Sequence, residues 1–66
     1  MSAVSILEAL IIRETEARNK QEHLCETTPW DSQERACAAS WKLKHSWAVD
    51  TLSEALNAIE AEARNA

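Results

Sequence analysis

The sequence predicts an all-α protein: a two-helix antiparallel hairpin that dimerises into a four-helix bundle. Three observations carry this. The 66 residues include no Gly and one Pro, so β-hairpin turns, which lean on Gly, Asn-Gly or Asp-Gly, have nothing to form from. Only one stretch, Glu26-Thr27-Thr28-Pro29-Trp30-Asp31-Ser32, breaks an otherwise helical pattern. On either side of it, apolar residues recur at steps of three and four, as on a helix with one buried stripe.

The first helix is expected over about residues 3–26. Ser5 and Glu8 form a capping pair at its start, with Ser2 as a rival N-cap. Its stripe is Leu7, Leu10, Ile11, Ala17, Leu24 and Cys25. The stripe is strongly apolar in its N-terminal half. It weakens from Arg13 to His23, where Glu14, Arg18 and Gln21 fall on the same side.

The turn is expected at about residues 27–29. Pro29 disfavours helix at the residue before it and suits the first position of a new one. Thr28 then caps the second helix, expected over about 29–64; Asp31 with Glu34 offers a start three residues later. On this helix Trp30, Cys37, Trp41, His45, Ala48, Leu52, Ala55, Leu56 and Ile59 share a side. The two helices would be roughly 36 Å and 50 Å long. Folding at residue 28 brings Leu7, Leu10 and Ile11 beside Ala48 to Leu52, and Glu14 and Arg18 near Trp41.

Residues 1–66 make one small domain, and its single seam is thin. Domains of this size bury only about 60% of their unfolded surface and often need staples or self-association. Ile12, Leu43 and Trp47 lie away from the seam and form a second apolar face. A hairpin with two apolar faces reads as half of a four-helix bundle, so a homodimer is expected. Leu7, Leu10, Ile11, Trp41, Leu52, Leu56 and Ile59 are the expected core of hairpin and dimer.

The absence of Gly excludes phosphate loops, dinucleotide fingerprints and nucleophile elbows. His23, Cys25, Cys37 and His45 invite a test for zinc. The second pair is eight residues apart and His23 points away from Cys25, which does not match zinc-ligand spacing. No metal and no cofactor are expected, and both Cys read as small buried hydrophobes. His45 lies on the seam, expected at the core edge with a neighbour such as Glu14. The acid pairs Glu14/Glu16 and Glu60/Glu62 are two residues apart and point in different directions on a helix. No nucleophile, base and orienting group surround a cleft, so no enzyme is expected.

Seven basic and eleven acidic residues give a net charge of −4. Binding to nucleic acid through phosphate neutralisation wants the opposite sign. Arg35, Lys42, Lys44 and His45 make only a short basic stripe, flanked by Asp50, Glu54, Glu60 and Glu62. The longest apolar run, Ala9 to Ile12, falls far short of the 18 to 20 residues or so of a membrane span. Met1-Ser2-Ala3 has no basic leader region, and two Cys are too few for a disulfide scaffold. A cytoplasmic protein with reduced thiols, no membrane partner and no nucleic-acid partner is expected.

Trp47 and Leu43 are the most informative pair. Trp is enriched at interface hot spots because it covers a large area with few rotatable bonds. Trp47 stands next to Ser40, Asp50 and Glu54, a polar rim around an apolar anchor. Trp47, Leu43, Lys42 and Ser40 are therefore the expected partner-binding residues, and Trp41 is expected to be structural.

The helix–turn–helix plan, over the whole chain, resembles Rop-type helical-hairpin dimers. That resemblance implies an RNA- or DNA-binding regulatory dimer as the alternative function. The format also looks like small phage-encoded inhibitors of host proteins, including quorum-sensing anti-activators, which act by occupying a surface of a larger regulator. With the acidic charge and the Trp47 anchor, the expected function is non-enzymatic: stoichiometric binding to a larger partner protein that it regulates or inhibits.

Overall fold

Ser2 starts the first helix. Its Oγ accepts a hydrogen bond from the Ser5 amide at 3.1 Å, satisfying one of the free N–H groups of the first turn. Helix α1 then runs Ala3–Thr27. The cap is thus the rival Ser2, not the Ser5–Glu8 pair. The computed structural model describes residues 2–65, and helix α2 runs Gln33–Asn65.

The turn departs from the predicted one. Thr28 does not begin α2; it ends α1. Pro29 holds it in extended conformation, φ −102° and ψ 154°. Its amide and hydroxyl both donate to the Leu24 carbonyl, at 3.0 and 2.6 Å. The chain turns through Pro29, Trp30 and Asp31. Ser32 closes this turn by donating from its amide and its hydroxyl to the Pro29 carbonyl, at 3.0 and 2.7 Å. Ser32 Oγ also accepts from the Arg35 amide at 3.1 Å, the N-cap bond of α2. The second helix therefore starts at Gln33, four residues later than expected at 29.

Three cross-helix contacts fix the register. Cys25 Sγ lies 4.0 Å from the Arg35 carbonyl, Lys42 Nζ 3.4 Å from Glu22 Oε1, and His45 Nδ1 2.5 Å from Glu14 Oε2. Residue numbers rise on one helix as they fall on the other, so the hairpin is antiparallel, 52 Å long and 17 × 12 Å across. The inward positions on α1 are Val4, Leu7, Ile11, Glu14, Arg18, Gln21, Cys25 and Thr28. On α2 they are Arg35, Ala38, Lys42, His45, Val49, Leu52, Leu56 and Ile59. Both series step by three and four, the rhythm of a two-helix seam.

The expected seam of α2 shares His45, Leu52, Leu56 and Ile59 with the observed one. It errs at Trp30, Cys37 and Trp41, all of which are exposed. The observed row takes in Val49 where the expected row leans toward Ala48, leaves Ala55 exposed, and so removes more apolar surface from water. It also places Ala38, 3% exposed, in the seam near the turn. A Trp there would wedge them apart.

Candidate partner-binding surface

The seam divides the hairpin into two flanks and two outer faces. Near the turn each flank carries an open groove. One, about 550 Å³, is lined by Gln21, Leu24, Thr28, Glu34, Cys37 and Ala38, among others. The other, about 420 Å³, is lined by Cys25, Arg35, Ala39, Lys42, Leu43 and Ser46. The grooves exist because Ala38 and Ala39 give α2 little side-chain bulk where Leu and Val would otherwise fill the flank.

Leu43 lines the second groove, and Trp47, one helical turn further along α2, stands on the outer face beside it. They are 51% and 61% exposed. Ser40, seven residues before Trp47, is also exposed and shares its outward row. Three of the four expected partner-binding residues therefore stand together on the surface. Lys42 is the exception. It sits in the seam, half-buried, with its ammonium on Glu22. Its position, one residue before Leu43, turns it by about 100° and takes it off the Trp47 row.

Trp41 is 50% exposed. Its ring stacks on His45, with centroids 5.9 Å apart and planes at 29°. Lys44 Nζ lies 4.5 Å from its ring centroid, a cation–π contact. The Glu14 carboxylate holds the other side of the His45 imidazole, as expected for a seam histidine. Trp41 is thus a propped flank residue rather than a seam residue. Among the other expected core positions, Leu7, Ile11, Leu52, Leu56 and Ile59 are partly buried in the seam, and Leu10 is partly buried beside it.

One exposed aromatic escapes the sequence pattern. Trp30, 82% exposed, stands at the tip of the hairpin. The signal was the preceding Pro29, which marks the turn and takes Trp30 off any helix face. Cys25 lines one groove and Cys37 the other, and both are free thiols. Among the described residues, no three His, Cys, Asp or Glu side chains gather where they could hold a metal ion. No helix among them is long and apolar enough to cross a membrane.

Comparison with known protein families, with curated proteins and with solved structures gives no match. The surface presents its own chemistry: two large apolar side chains, Leu43 and Trp47, exposed on an outward face with polar neighbours, Leu43 also lining a shallow groove.

Proposed function

We propose that the protein acts by stoichiometric binding to a larger protein, which it regulates or inhibits, with Trp47 and Leu43 as the anchor. The observation that carries this is their joint exposure one turn apart on α2. Two adjacent large apolar side chains held rigidly on a helix lose little entropy on docking, and their polar surroundings form a rim.

Within this reading, the size and helical-hairpin format match an anti-activator that occupies a transcription regulator. The identity of the captured partner decides that narrower proposal. The experiment is a pull-down with the native chain, repeated with Trp47→Ala and Leu43→Ala. Loss of the same partner in both variants, with helicity intact by circular dichroism, supports the anchor. Retention in both rejects it. A salt titration separates the rival Rop-like reading: nucleic-acid affinity falls steeply with salt as counterions are released, whereas a Trp-anchored contact is far less sensitive.

A further inference from the structure

We propose that the protein pairs with a second copy of itself through the turn-proximal flank that holds Trp41 and Leu24, in a half-staggered, antiparallel dimer. This is independent of the role of Trp47, which stands on the outer face of α2.

The hairpin alone leaves this flank uncovered. Among the described residues only Ala38 is buried, and no large side chain is fully enclosed. Leu24, 38% exposed, lines the larger groove, and Trp41, 50% exposed, stands one helical turn beyond its Cys37 and so on the same flank. So little enclosed surface is characteristic of chains that complete their core by association.

Shape names the occupant. Trp41 is a knob, propped by His45 and Lys44. Four residues earlier Cys37, with Leu24 and Ala38, lines the groove of about 550 Å³. Knob and groove are on one flank and about 6 Å apart along the helix. A two-fold axis lying across α2 near Ala39 carries the Trp41 of each copy into the groove of the other. A surface that is its own complement is what a two-fold interface requires.

Charge selects the same axis. Glu34 lines the groove and Lys44 contacts the knob. They are equally far from residue 39, on opposite sides, so the axis that seats Trp41 also sets each Glu34 against the Lys44 of the other copy. The rod as a whole agrees. Glu22, Glu26, Asp31 and Glu34 outnumber Arg35 around the turn, and Glu8, Asp50, Glu54, Glu60 and Glu62 outnumber Arg64 toward the open end. Between them the middle holds Arg13, Arg18, Lys20, Lys42 and Lys44, five of the seven basic residues, against Glu14 and Glu16, and is net positive. Half-staggering lays the acidic turn of one copy on the basic middle of the other. Full overlap would lay acidic ends on each other and basic middles on each other, which is repulsive.

The test is sedimentation across the micromolar range, with small-angle scattering on the same samples. The native chain should be a dimer with a maximum dimension of about 80 Å, the length set by the half-stagger at 1.5 Å per residue. A fully overlapped dimer would stay near the 52 Å of one protomer. Glu34→Lys and Lys44→Glu, both at exposed positions, should each weaken pairing by about tenfold or more, since each contact occurs twice. An equimolar mixture of the two variants should dimerise again, because each restores opposite charges to the other. Trp41→Ala should weaken pairing by about a hundredfold or more. A native chain that stays monomeric, a dimer no longer than one protomer, or a mixture that fails to re-pair overturns the proposal. The charge variants keep the test decisive even if Trp41→Ala does not fold.

Discussion

At the open end of the hairpin the seam is aliphatic: Val4, Leu7 and Ile11 on α1 meet Val49, Leu52, Leu56 and Ile59 on α2. At the turn end the same three-and-four rhythm carries Glu14, Arg18, Gln21 and Cys25 against Arg35, Ala38, Lys42 and His45. There the large apolar side chains sit outside the seam instead, as Leu24, Trp30, Trp41, Leu43 and Trp47, against only Ile6 and Ile12 exposed among the described residues of the open half. The difference separates two tasks. One half supplies apolar burial and holds the helices together. The other spends its apolar area outward, where only another molecule can cover it, and holds its register by hydrogen bonds and ion pairs.

If that division is right, the largest loss of stability comes from the open half. Leu52→Ala should cost about 2–3 kcal/mol, the lower part of the range for a leucine in a core, because Leu52 is only partly buried. Thermal melts by circular dichroism measure it. An equal loss on truncating Arg18 to Ala in the turn half would break the comparison, since that side chain spans the seam without enclosing apolar surface.

The next test sharpens the contrast by converting one half toward the other. The register set by Cys25–Arg35 and Glu14–His45 places Arg18 across from Lys42. Two cations at one level of a seam repel, and their partial burial costs desolvation. Arg18→Leu should therefore raise stability by about 1 kcal/mol. A destabilised variant would mean that Arg18 makes a contribution of its own to the turn half. Ser32→Ala probes how that half is held by its turn; loss of the N-cap bond to Arg35 should lower stability by about 1 kcal/mol in the same melt, against almost nothing for Ser40→Ala.

Much of this was legible in the sequence. The two helices, the hairpin, the apolar open end and the Glu14–His45 contact all follow from spacing and residue type. The α2 seam was harder because two rows satisfy the same spacing. One runs through Trp41, Ala48 and Ala55, the other through Ala38 and Val49, and His45, Leu52, Leu56 and Ile59 serve either. Side-chain size favours Trp41 when the helix is read alone. Only the close approach of α1 shows that a small residue belongs there. The cap was missed for a similar reason: Thr28, Asp31 and Ser32 are all good N-caps, and the bond that Thr28 makes backward to Leu24 is what removes it from the choice. For the partner surface, the row of Ser40, Leu43 and Trp47 was readable from angles, whereas the grooves beside it depend on the separation of the helices.

The smallest expected effect on stability is also the one that most cleanly separates holding from contacting. Trp47 is the same residue type as Trp41 and lies six positions along the same helix, yet among the described residues no ring stacks on it and no cation lies over it. Its indole is 61% exposed, so its truncation opens no cavity. Trp47→Ala should shift the unfolding free energy by less than about 0.5 kcal/mol, as for surface positions in general. The same change should weaken partner binding by about 2 kcal/mol or more if Trp47 is the anchor. Trp41→Ala is the matched control: it removes the platform of His45 and Lys44 and should lower the melting temperature more than Trp47→Ala does. If the two variants melt alike, with Trp47→Ala as damaged as Trp41→Ala, then Trp47 is packed against something in the folded protein, and the outward face of α2 belongs to the half that holds rather than the half that contacts.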